Sequence, residues 1–416
     1  MCVCVVSFIH PREGRTNLTA TFHEGTGYHE SAGLPHGETP KQGIGNIMTV
    51  EELENGIFPV QHLQMAISNG VIAADHPIEA GQLQPASLDL RLGREAWRVQ
   101  ASFLPGANMP VDAKLAKFGM HRIDLTNGAV LERGCVYIVK LQERLNLPAG
   151  TSAMANPKSS TGRLDIFTRL ITDGAREFES VADGYEGPLY AEISPRTFSV
   201  LVRPGSRLSQ LRLRRGISAP SDLVMESLQS TVGLVHGVDR TDIRDGVALS
   251  VNLDPDSKSG MIGWRARKHA GLIDVDAPSS QPVDAFWERV TTADLTAGGL
   301  VLNPDEFYIL ASREFVTVPK DHAAEMRAYD TRVGEFRAHY AGFFDPGFGM
   351  KELGAEGTRA VLEVRSHDVP FLIDQGQTVC RLVYEPMLAV PQTLYGTRGS
   401  NYQSQGLRLA KHFIQG

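Results

Sequence analysis

The stretch GAVLERGCVYIVKLQERLNLPAGTSAM at residues 128–154 returns in diverged form as GLVLNPDEFYILASREFVTVPKDHAAE at residues 299–325. Aligned without a gap, the two stretches are identical at eight of 27 positions, whereas unrelated sequences of this composition would share roughly two. Matched residues such as Pro148 and Pro319 lie 171 positions apart. An internal repeat of this length indicates two copies of one domain in a single chain.

The same spacing continues beyond the repeated stretch. PLYAEISPRTFSVLV at residues 188–202 returns as RAVLEVRSHDVPFLI at residues 359–373. This alignment sets Glu192 against Glu363, again 171 positions apart. Each copy therefore carries a glutamate inside a strand-like apolar run.

Both copies consist of short apolar stretches separated by Gly, Pro, Asn and Asp, among them LDLRLG at 88–93 and LSQLRL at 208–213. One segment, PVQHLQMAISNGV at 59–71, has a helical pattern that Asn69-Gly70 ends. Frequent strands with turn residues between them indicate a sandwich or barrel. We therefore predict an all-β fold with a few short helices, present as a tandem duplication.

The repeat and the local composition divide the chain into five segments. Residues 1–47 are rich in Gly, Thr, His and Pro without sustained periodicity, which is typical of a loose extension. The other segments, in chain order, are a first β domain, a linker or helix, a second and diverged β domain, and a C-terminal lid or tail: 48–216, 217–240, 241–393 and 394–416. The two β domains are called the first copy and the second copy below.

Composition excludes several classes of function. The 41 Lys and Arg against 48 Asp and Glu give a formal charge of −7, and no basic run is long enough to follow a nucleic-acid backbone. No stretch approaches the ~18 to 20 apolar residues of a membrane helix. The first nine residues lack the basic start and cleavage site of a signal peptide. We expect a cytoplasmic protein without nucleic-acid or membrane partners.

Cysteine usage argues against disulfide and zinc frameworks. Four cysteines in 416 residues are too few for a disulfide scaffold. A zinc site needs closely spaced Cys or His pairs such as C-x-x-C, and the chain contains no C-x-x-C. We therefore expect no metal ligands in a catalytic role.

The segment NPKSSTGR at 156–163 follows a strand-like stretch in the first copy. Its cation and hydroxyl groups suit an anion at a helix start, with a guanidinium that can bind phosphate through two hydrogen bonds. A Ser-Ser pair at a helix start is by itself more often an N-cap than a phosphate site. The candidate phosphate-binding residues are Lys158, Ser159, Ser160 and Arg163.

Four motifs occur in a characteristic order: QPASLDLRLG, NPKSSTGRL, GYEGPLYAEI with its embedded glutamate, and RPGSRLSQLRL. This order resembles the dCTP deaminase family, which is related to the dUTP pyrophosphatases, over most of residues 58–215. A second, partial copy over about 245–410 is similar to a longer, duplicated form of the family. The resemblance implies a distorted β jelly roll that forms a homo-oligomer about a three-fold axis, with each active site between neighbouring units.

The resemblance also implies roles for individual residues. It places Ser159, Ser160 and Arg163 at the phosphates and the reacting amine of a deoxynucleoside triphosphate. The strand glutamate, Glu192 or Glu363, becomes the general acid and base. It implies no cofactor for catalysis, with Mg²⁺ only accompanying the triphosphate.

The chemistry of deamination agrees with a carboxylic acid in this role. Water must attack C4 of cytosine, and protons must reach the ring nitrogen and the leaving ammonia. Zinc deaminases use the signature H-x-E with P-C-x-x-C, which this chain lacks. A metal-free route needs a buried carboxyl group whose pKa is raised by apolar strand neighbours. For either glutamate considered alone, a strand salt bridge is the competing interpretation.

The two copies have diverged unequally. At an offset of 171, Ser159 corresponds to Asp330 and Arg163 to Gly334, so the second copy has lost its phosphate-binding set. Its loop HYAGFFDPGFG at 339–349 nevertheless keeps the family's Ala-x-x-x-Asp-Pro-Gly-aromatic pattern. The resemblance implies that this loop wraps the base and contacts the sugar through its aspartate.

The halves are therefore complementary, and we predict one composite site. Its residues are Ser159, Ser160 and Arg163 from the first copy with Ala341, Asp345 and Glu363 from the second. Phe348, the aromatic residue of the same loop, is a further substrate-binding candidate. Glu192 then belongs to a vestige or to a second, weaker site. The sequence leaves open whether the two sets come from one chain or from two.

The C-terminal stretch LYGTRGSNYQSQGLRLAKHF at 394–413 resembles the family's closing tail. The resemblance implies that it folds over bound triphosphate, which is typical of a lid. A frayed terminus is the alternative interpretation. The implied phosphate contacts are Arg398, Tyr402 and Gln405, with Arg408 and Lys411 as further candidates.

The sequence thus predicts a metal-free dCTP deaminase that produces dUTP and ammonia. One alternative is a bifunctional enzyme that also cleaves dUTP to dUMP and pyrophosphate. Another is a non-catalytic nucleotide-binding regulator, because the second copy has lost its phosphate-binding set. Ammonia release from dCTP and the identity of the nucleotide product separate these three functions.

Overall fold

Antiparallel strands from both copies form the body of the chain in the computed structural model. The structure describes residues 55–216, 221–255, 258–327, 342–366, 368–397 and 406–414, together with the backbone of 336–338. The two copies pack against each other as one compact unit.

The first copy contains thirteen strands and three helices within its described residues. The strands are β1 (Gly56–Ile57), β2 (Ile72–Ala74), β3 (Leu88–Leu90), β4 (Leu92–Val99), β5 (Gly119–Asp124), β6 (Ala129–Leu131), β7 (Val136–Asn146), β8 (Thr151–Pro157), β9 (Ile166–Thr172), β10 (Ser180–Val181), β11 (Glu186–Pro195), β12 (Val200–Val202) and β13 (Ser209–Arg215). The helices are α1 (Val60–Ser68), α2 (Val111–Phe118) and α3 (Ser159–Gly162), and a single 3₁₀ turn lies at Ala80–Gln82.

The described part of the linker and second copy contributes another thirteen strands. They are β14 (Val235–His236), β15 (Val247–Asn252), β16 (Met261–Ala266), β17 (Ile273–Asp274), β18 (Trp287–Thr291), β19 (Leu300–Leu302), β20 (Tyr308–Val316), β21 (His322–Arg327), β22 (Phe336–Ala338), β23 (Phe343–Phe344), β24 (Thr358–Ser366), β25 (Phe371–Ile373) and β26 (Thr378–Pro386). The helices are α4 (Asp222–Thr231) and α5 (Val283–Phe286), with 3₁₀ turns at Thr292–Asp294 and Lys351–Leu353.

Helices are few and short. The predicted helix at 59–71 is α1, which ends at Asn69. The described residues contain five α-helices of four to ten residues. None of these has the length and apolar character needed to cross a bilayer. The predicted all-β fold with a few short helices is confirmed.

The duplication is visible in the strand boundaries. β19 and β25 begin and end 171 positions after β6 and β12. Both strand glutamates also occupy the same register, because Glu192 pairs with Ile138 and Glu363 with Ile309. Corresponding residues of these two pairs are again separated by 171 positions, so the sequence repeat is also a repeat of strand pairing.

Sheets of the first copy enclose its main core, and a smaller apolar cluster that includes Val99, Ile138 and Tyr190 lies apart from it. One sheet has the order β1-β13-β8-β10 with β3 paired to β13, and another has the order β5-β4-β7-β11-β9 with β2 paired to β7. The second copy is built on a ten-stranded sheet in which β24 pairs with β20. Alternation along these strands sends apolar side chains into the cores, among them Leu88, Leu189 and Leu211 in the first copy.

The two copies also share structure directly. β17 of the second copy adds to β12 of the first as a parallel strand. Beside this joint, Arg203 donates two hydrogen bonds to the Asp274 carboxylate, at 2.7 and 2.8 Å. The ring of Phe198 packs edge-on against Trp287 with centroids 5.7 Å apart, inside a single apolar cluster. These contacts fix one copy against the other and so define the cleft between them.

Candidate active site

A pocket lies where the two copies meet. Its walls come from the first copy, the second copy and the start of the described tail: Pro157, Lys158, Ser159, Gly162, Arg163, Met326, Gly342, Phe343, Phe344, Asp345, Phe348, Arg359, Val361, Glu363, Tyr395 and Gly406. The structure therefore brings together, within one chain, most of the described residues of the predicted composite set. Ser160 is buried beside the pocket lining. Ala341, Arg398, Tyr402 and Gln405 lie outside the described residues.

The phosphate-binding segment sits at the end of β8. Lys158, not a serine, is the N-cap residue of α3, and its carbonyl accepts hydrogen bonds from the N–H groups of Thr161 and Gly162. Neither Ser159 nor Ser160 acts as the N-cap, so the capping interpretation is wrong. The Lys158 ammonium forms an ion pair with the buried Asp89. Asp89 thereby holds a positive charge at the pocket wall.

Glu363 enters the pocket from the opposite side. It lies on β24 and is only 8% exposed. Its Oε1 is 4.0 Å from Nε of Arg163. Burial raises the pKa of Glu363 to about 8; Arg163 opposes this rise and Asp165 adds to it. Because its pKa lies near neutrality, this carboxyl group can both donate and accept a proton under physiological conditions.

Gly162 allows the carboxyl group to come this close. A Cβ atom at this position would lie 3.1 Å from Cδ, Oε1 and Oε2 of Glu363. Contacts this short force a neighbour to move, and here the neighbour is the candidate acid itself. A glycine inside the phosphate-binding segment was a signal that sequence reasoning could have used.

The described tail reaches the same region. Arg163 donates from Nη1 to the carbonyl of Arg408 at 2.9 Å. Lys411 is half-buried, and burial lowers its pKa, with a further contribution from the nearby Lys158. Within the described residues 406–414, Arg408 therefore brings a main-chain carbonyl and Lys411 a cationic group to the phosphate-binding side.

Asp345 is fixed from the first copy. Arg212 on β13 donates to Oδ1 of Asp345 at 3.2 Å and to the carbonyl of Ala324 at 3.1 Å. The same guanidinium lies 4.0 Å from the ring centroid of Phe343. Burial raises the pKa of Asp345, and Arg212 opposes this rise. Sequence reasoning missed Arg212, although a charged residue in the apolar run LSQLRL was a signal.

Aromatic rings line the adjoining wall. The rings of Phe344 and Phe348 meet edge-on with centroids 5.0 Å apart, and Phe348 lies 5.5 Å from the ring of Tyr395. These faces suit a planar, aromatic ligand. The pocket thus has a cationic and hydroxyl-bearing side, a carboxyl group and an aromatic side.

Glu192 has a different environment. It lies on β11 directly across from Arg169 on β9, whose Nη2 and Nε are 2.5 and 3.1 Å from Oε1 of Glu192. The Arg169 guanidinium lies 3.4 Å from the ring centroid of Phe178. Glu192 is not part of the pocket lining described above. The strand salt bridge that competed with a catalytic interpretation is therefore what the structure shows at Glu192.

The potential metal ligands are dispersed over the part of the chain that the structure describes. There, no group of three or more His, Cys, Asp or Glu side chains is arranged to hold a metal ion. Cys135 and Cys380 are both free thiols.

The fold and the pocket define the class of this protein as a duplicated, dUTPase-like β protein with a polar site between its copies. Residues 54–217 match the family model of the 2'-deoxycytidine 5'-triphosphate deaminase (DCD) N-terminal domain, and residues 221–413 match that of its C-terminal domain. The chain belongs to the 2'-deoxycytidine 5'-triphosphate deaminase family.

Individual relatives agree with this assignment. The crystal structure of 2'-deoxycytidine 5'-triphosphate deaminase from Agrobacterium tumefaciens is 51% identical in sequence, with a TM-score of 0.76 over 81% of this chain and 99% of that one. A "dCTP deaminase, dUMP-forming" from Methanobrevibacter smithii is 32% identical over 32% of this chain and 65% of its own length. A "dCTP deaminase" from Haloarcula marismortui is 31% identical over 34% of this chain and 70% of its own. The chain thus spans just under two thirds of the first of these two relatives.

Proposed function

We propose that the chain catalyses the hydrolytic deamination of dCTP to dUTP and ammonia in the pocket between its two copies. The observation that carries this proposal is the buried Glu363 carboxyl group, 4.0 Å from Arg163 of the other copy. Family membership and the relatives named dCTP deaminase support the choice of substrate.

The pocket offers a place for each part of a deoxynucleoside triphosphate. Lys158, Ser159 and Arg163 face the phosphates, with Mg²⁺ entering as part of the substrate. The aromatic side around Phe348 receives the base. The Asp345 carboxylate accepts a hydrogen bond from the sugar. Arg163 also points toward Glu363, so it links phosphate binding to the reacting carboxyl group.

Glu363 acts as the general acid and base. With a pKa of about 8 it is protonated in the resting site near neutral pH, and it first donates its proton to N3 of cytosine. The resulting carboxylate takes a proton from water as the water oxygen bonds to C4. Glu363 then protonates the amino group, and the C4–N bond breaks to release ammonia. Finally it takes the hydroxyl proton from the tetrahedral carbon as the C4 carbonyl forms, which restores the starting acid.

This route needs no catalytic metal. The chain lacks the P-C-x-x-C half of the zinc deaminase signature, and a buried acid replaces the zinc-activated water. We expect ammonia release from dCTP to persist when a zinc chelator is present with excess Mg²⁺. Loss of turnover that added zinc restores would overturn the metal-free scheme.

Glutamine variants of Glu363 and Glu192 test which carboxyl group is the general acid and base. Glu363→Gln should lower kcat on the order of 10² to 10⁴-fold, since it removes a general acid and base. Glu192→Gln is the matched control, because it makes the same change at the equivalent strand position in the other copy. Arg163→Ala should raise KM for dCTP and lower kcat. Loss of turnover in the Glu192 variant alone would refute the composite site.

A second candidate activity continues the reaction to dUMP and pyrophosphate. It is favoured by relatives that are named dUMP-forming, including those from Methanobrevibacter smithii and Methanothermobacter thermautotrophicus. Chromatography of the nucleotides formed from dCTP separates the two activities: dUTP as the end product supports simple deamination, and dUMP with pyrophosphate supports the bifunctional reaction.

The expected homo-oligomer stays a prediction. Six copies in two three-fold rings would need three chains, because each chain supplies two copies. Light scattering on the purified protein measures the mass, and a chain number that is not a multiple of three would contradict such rings.

A further inference from the structure

A second ion pair joins the two copies beside the pocket. Arg365 lies two residues beyond Glu363 on β24 and donates from Nε and Nη2 to Oδ2 of Asp165, at 3.0 and 2.6 Å. Asp165 in turn lies two residues beyond Arg163, in the turn between α3 and β9. Two residues further along each segment, the contact between Arg163 and Glu363 is thus repeated with the charges reversed. In this second pair the first copy supplies the carboxylate and the second copy supplies the guanidinium.

This second pair is buried and held firmly. Asp165 has no exposed surface and Arg365 is 7% exposed. Thr197 contacts both partners, since its hydroxyl group bonds to Oδ2 of Asp165 and accepts a hydrogen bond from Arg365 at 2.8 Å. The Asp165 N–H donates to the carbonyl of Gly162 at 2.8 Å, and its φ of 56° is in the left-handed region, which Asp and Asn tolerate best after Gly.

We propose that the Asp165–Arg365 pair is a positioning device that holds β24 in register against α3 and so keeps the Glu363 carboxyl group beside Gly162 and Arg163. Alternation along a strand puts residues 363 and 365 on the same face, so fixing one side chain fixes the approach of the other. Neither partner lines the pocket. Both are therefore positioning residues, and the inference rests on the proposed role of Glu363.

The pair also sets the charge around Glu363. Arg163 and Asp165 from the first copy and the Cys380 thiol from β26 act on this carboxyl group, and Arg365 on its own strand is paired with Asp165. The negative charge of Asp165 favours the protonated form of Glu363, and Arg365 neutralises that charge. Removing one partner or the other should therefore move the protonation of Glu363 in opposite directions.

The test compares Arg365→Gln with Asp165→Asn. The protonation of Glu363 is followed by infrared difference spectroscopy of its carboxyl band, in which the spectrum of the Glu363→Gln protein is subtracted to isolate one group among 48 Asp and Glu. Arg365→Gln should move the titration midpoint up and Asp165→Asn should move it down. In both variants kcat for dCTP should fall about tenfold or more while KM changes less than about threefold, because substrate contacts are intact.

Two further variants guard against a merely structural effect. Arg365→Lys keeps the charge but loses the two-pronged geometry, so it should keep the midpoint and recover part of kcat. Arg203→Gln breaks a different Arg–Asp pair between the copies, the one beside β17 and outside the pocket lining, and should leave both the midpoint and kcat unchanged. If one of the first two variants fails to fold, the other is read against Arg365→Lys.

The outcomes are distinct. Midpoint shifts in the same direction for Arg365→Gln and Asp165→Asn, or an equal effect of Arg203→Gln, would refute the positioning role. The infrared titration needs no turnover. Absence of ammonia release by the unmodified protein would therefore refute the proposed function, while opposite midpoint shifts would still show that the Asp165–Arg365 pair acts on Glu363.

Discussion

Replacing Glu363 by Gln should remove a pH-dependent part of the protein's stability. The native carboxyl group has a pKa of about 8, raised by burial from an ordinary value of 4.5. Between these values the folded protein binds a proton that the unfolded chain does not. The contribution of Glu363 to the free energy of unfolding is therefore fully present below pH 4.5 and is lost as the pH rises to about 8.

The expected size follows from that interval. Each pH unit between the two pKa values changes the free energy of unfolding by ~1.4 kcal/mol, which amounts to about 5 kcal/mol over the whole interval. Glutamine does not titrate. The Glu363→Gln protein should therefore gain about 4 to 5 kcal/mol relative to the unmodified protein between pH 4.5 and pH 8.5.

Urea unfolding at pH 4.5, 6.5 and 8.5 measures this double difference. Val361→Thr is a suitable control, because it changes the same pocket wall without adding or removing a titratable group. Its effect on the free energy of unfolding should be the same at each pH. A difference between the Glu363→Gln and unmodified proteins that is constant with pH, or that falls as the pH rises, would show that Glu363 does not bind its proton in this way.

Three further predictions concern the pocket walls. Gly162→Ala should lower kcat by about tenfold and destabilise the protein by about 1–3 kcal/mol, because the new Cβ would lie 3.1 Å from the Glu363 carboxyl group. Steady-state kinetics measures the first effect and urea unfolding the second. An unchanged kcat would contradict the close approach of Gly162 and Glu363. Arg212→Met should destabilise the protein by about 3–5 kcal/mol in urea unfolding at pH 7, because it leaves the buried Asp345 without its cation. A decrease in the free energy of unfolding below about 1 kcal/mol would show that the Arg212–Asp345 pair contributes little to stability. Phe348→Ala should raise KM for dCTP with a smaller effect on kcat, since it removes an aromatic face from the pocket, and an effect confined to kcat would place the base elsewhere.

Much of the fold could be predicted because the strand pattern of one copy can be compared with that of the other. Strands that pair with each other in one copy must keep their spacing in the other, so an offset of 171 along the sequence predicts matching registers in space. The pairing of Glu192 with Ile138 and of Glu363 with Ile309 has this property. The phosphate-binding segment could be predicted for a different reason, because its Lys, Ser and Arg residues lie close together in the sequence.

The difference between the two glutamates could not be predicted from their own surroundings in the sequence. Both sit in apolar strands at equivalent positions, and the contrast comes from what lies opposite. Glu192 faces Arg169 on the neighbouring strand, whereas Glu363 faces Gly162 and Arg163 of the other copy. Only the packing of one copy on the other distinguishes the ion-paired Glu192 from Glu363, whose pKa is raised by burial.

The supporting residues were hidden for the same reason. Arg212 and Asp345 are separated by 133 residues, and Asp165 and Arg365 by 200. Neither pair forms a local motif, and a lone charge in an apolar strand does not say which partner it will meet. Long-range ion pairs of this kind become visible only once the two copies are placed together.

The covalent joining of both pocket walls has a genetic consequence. An enzyme whose site forms between identical chains can regain activity when two defective alleles are expressed together, because mixed assemblies contain some intact sites. Here Arg163 and Glu363 belong to the same polypeptide and contact each other within it. Alleles damaged in opposite walls should therefore fail to complement each other, and each lesion should behave as a simple recessive loss.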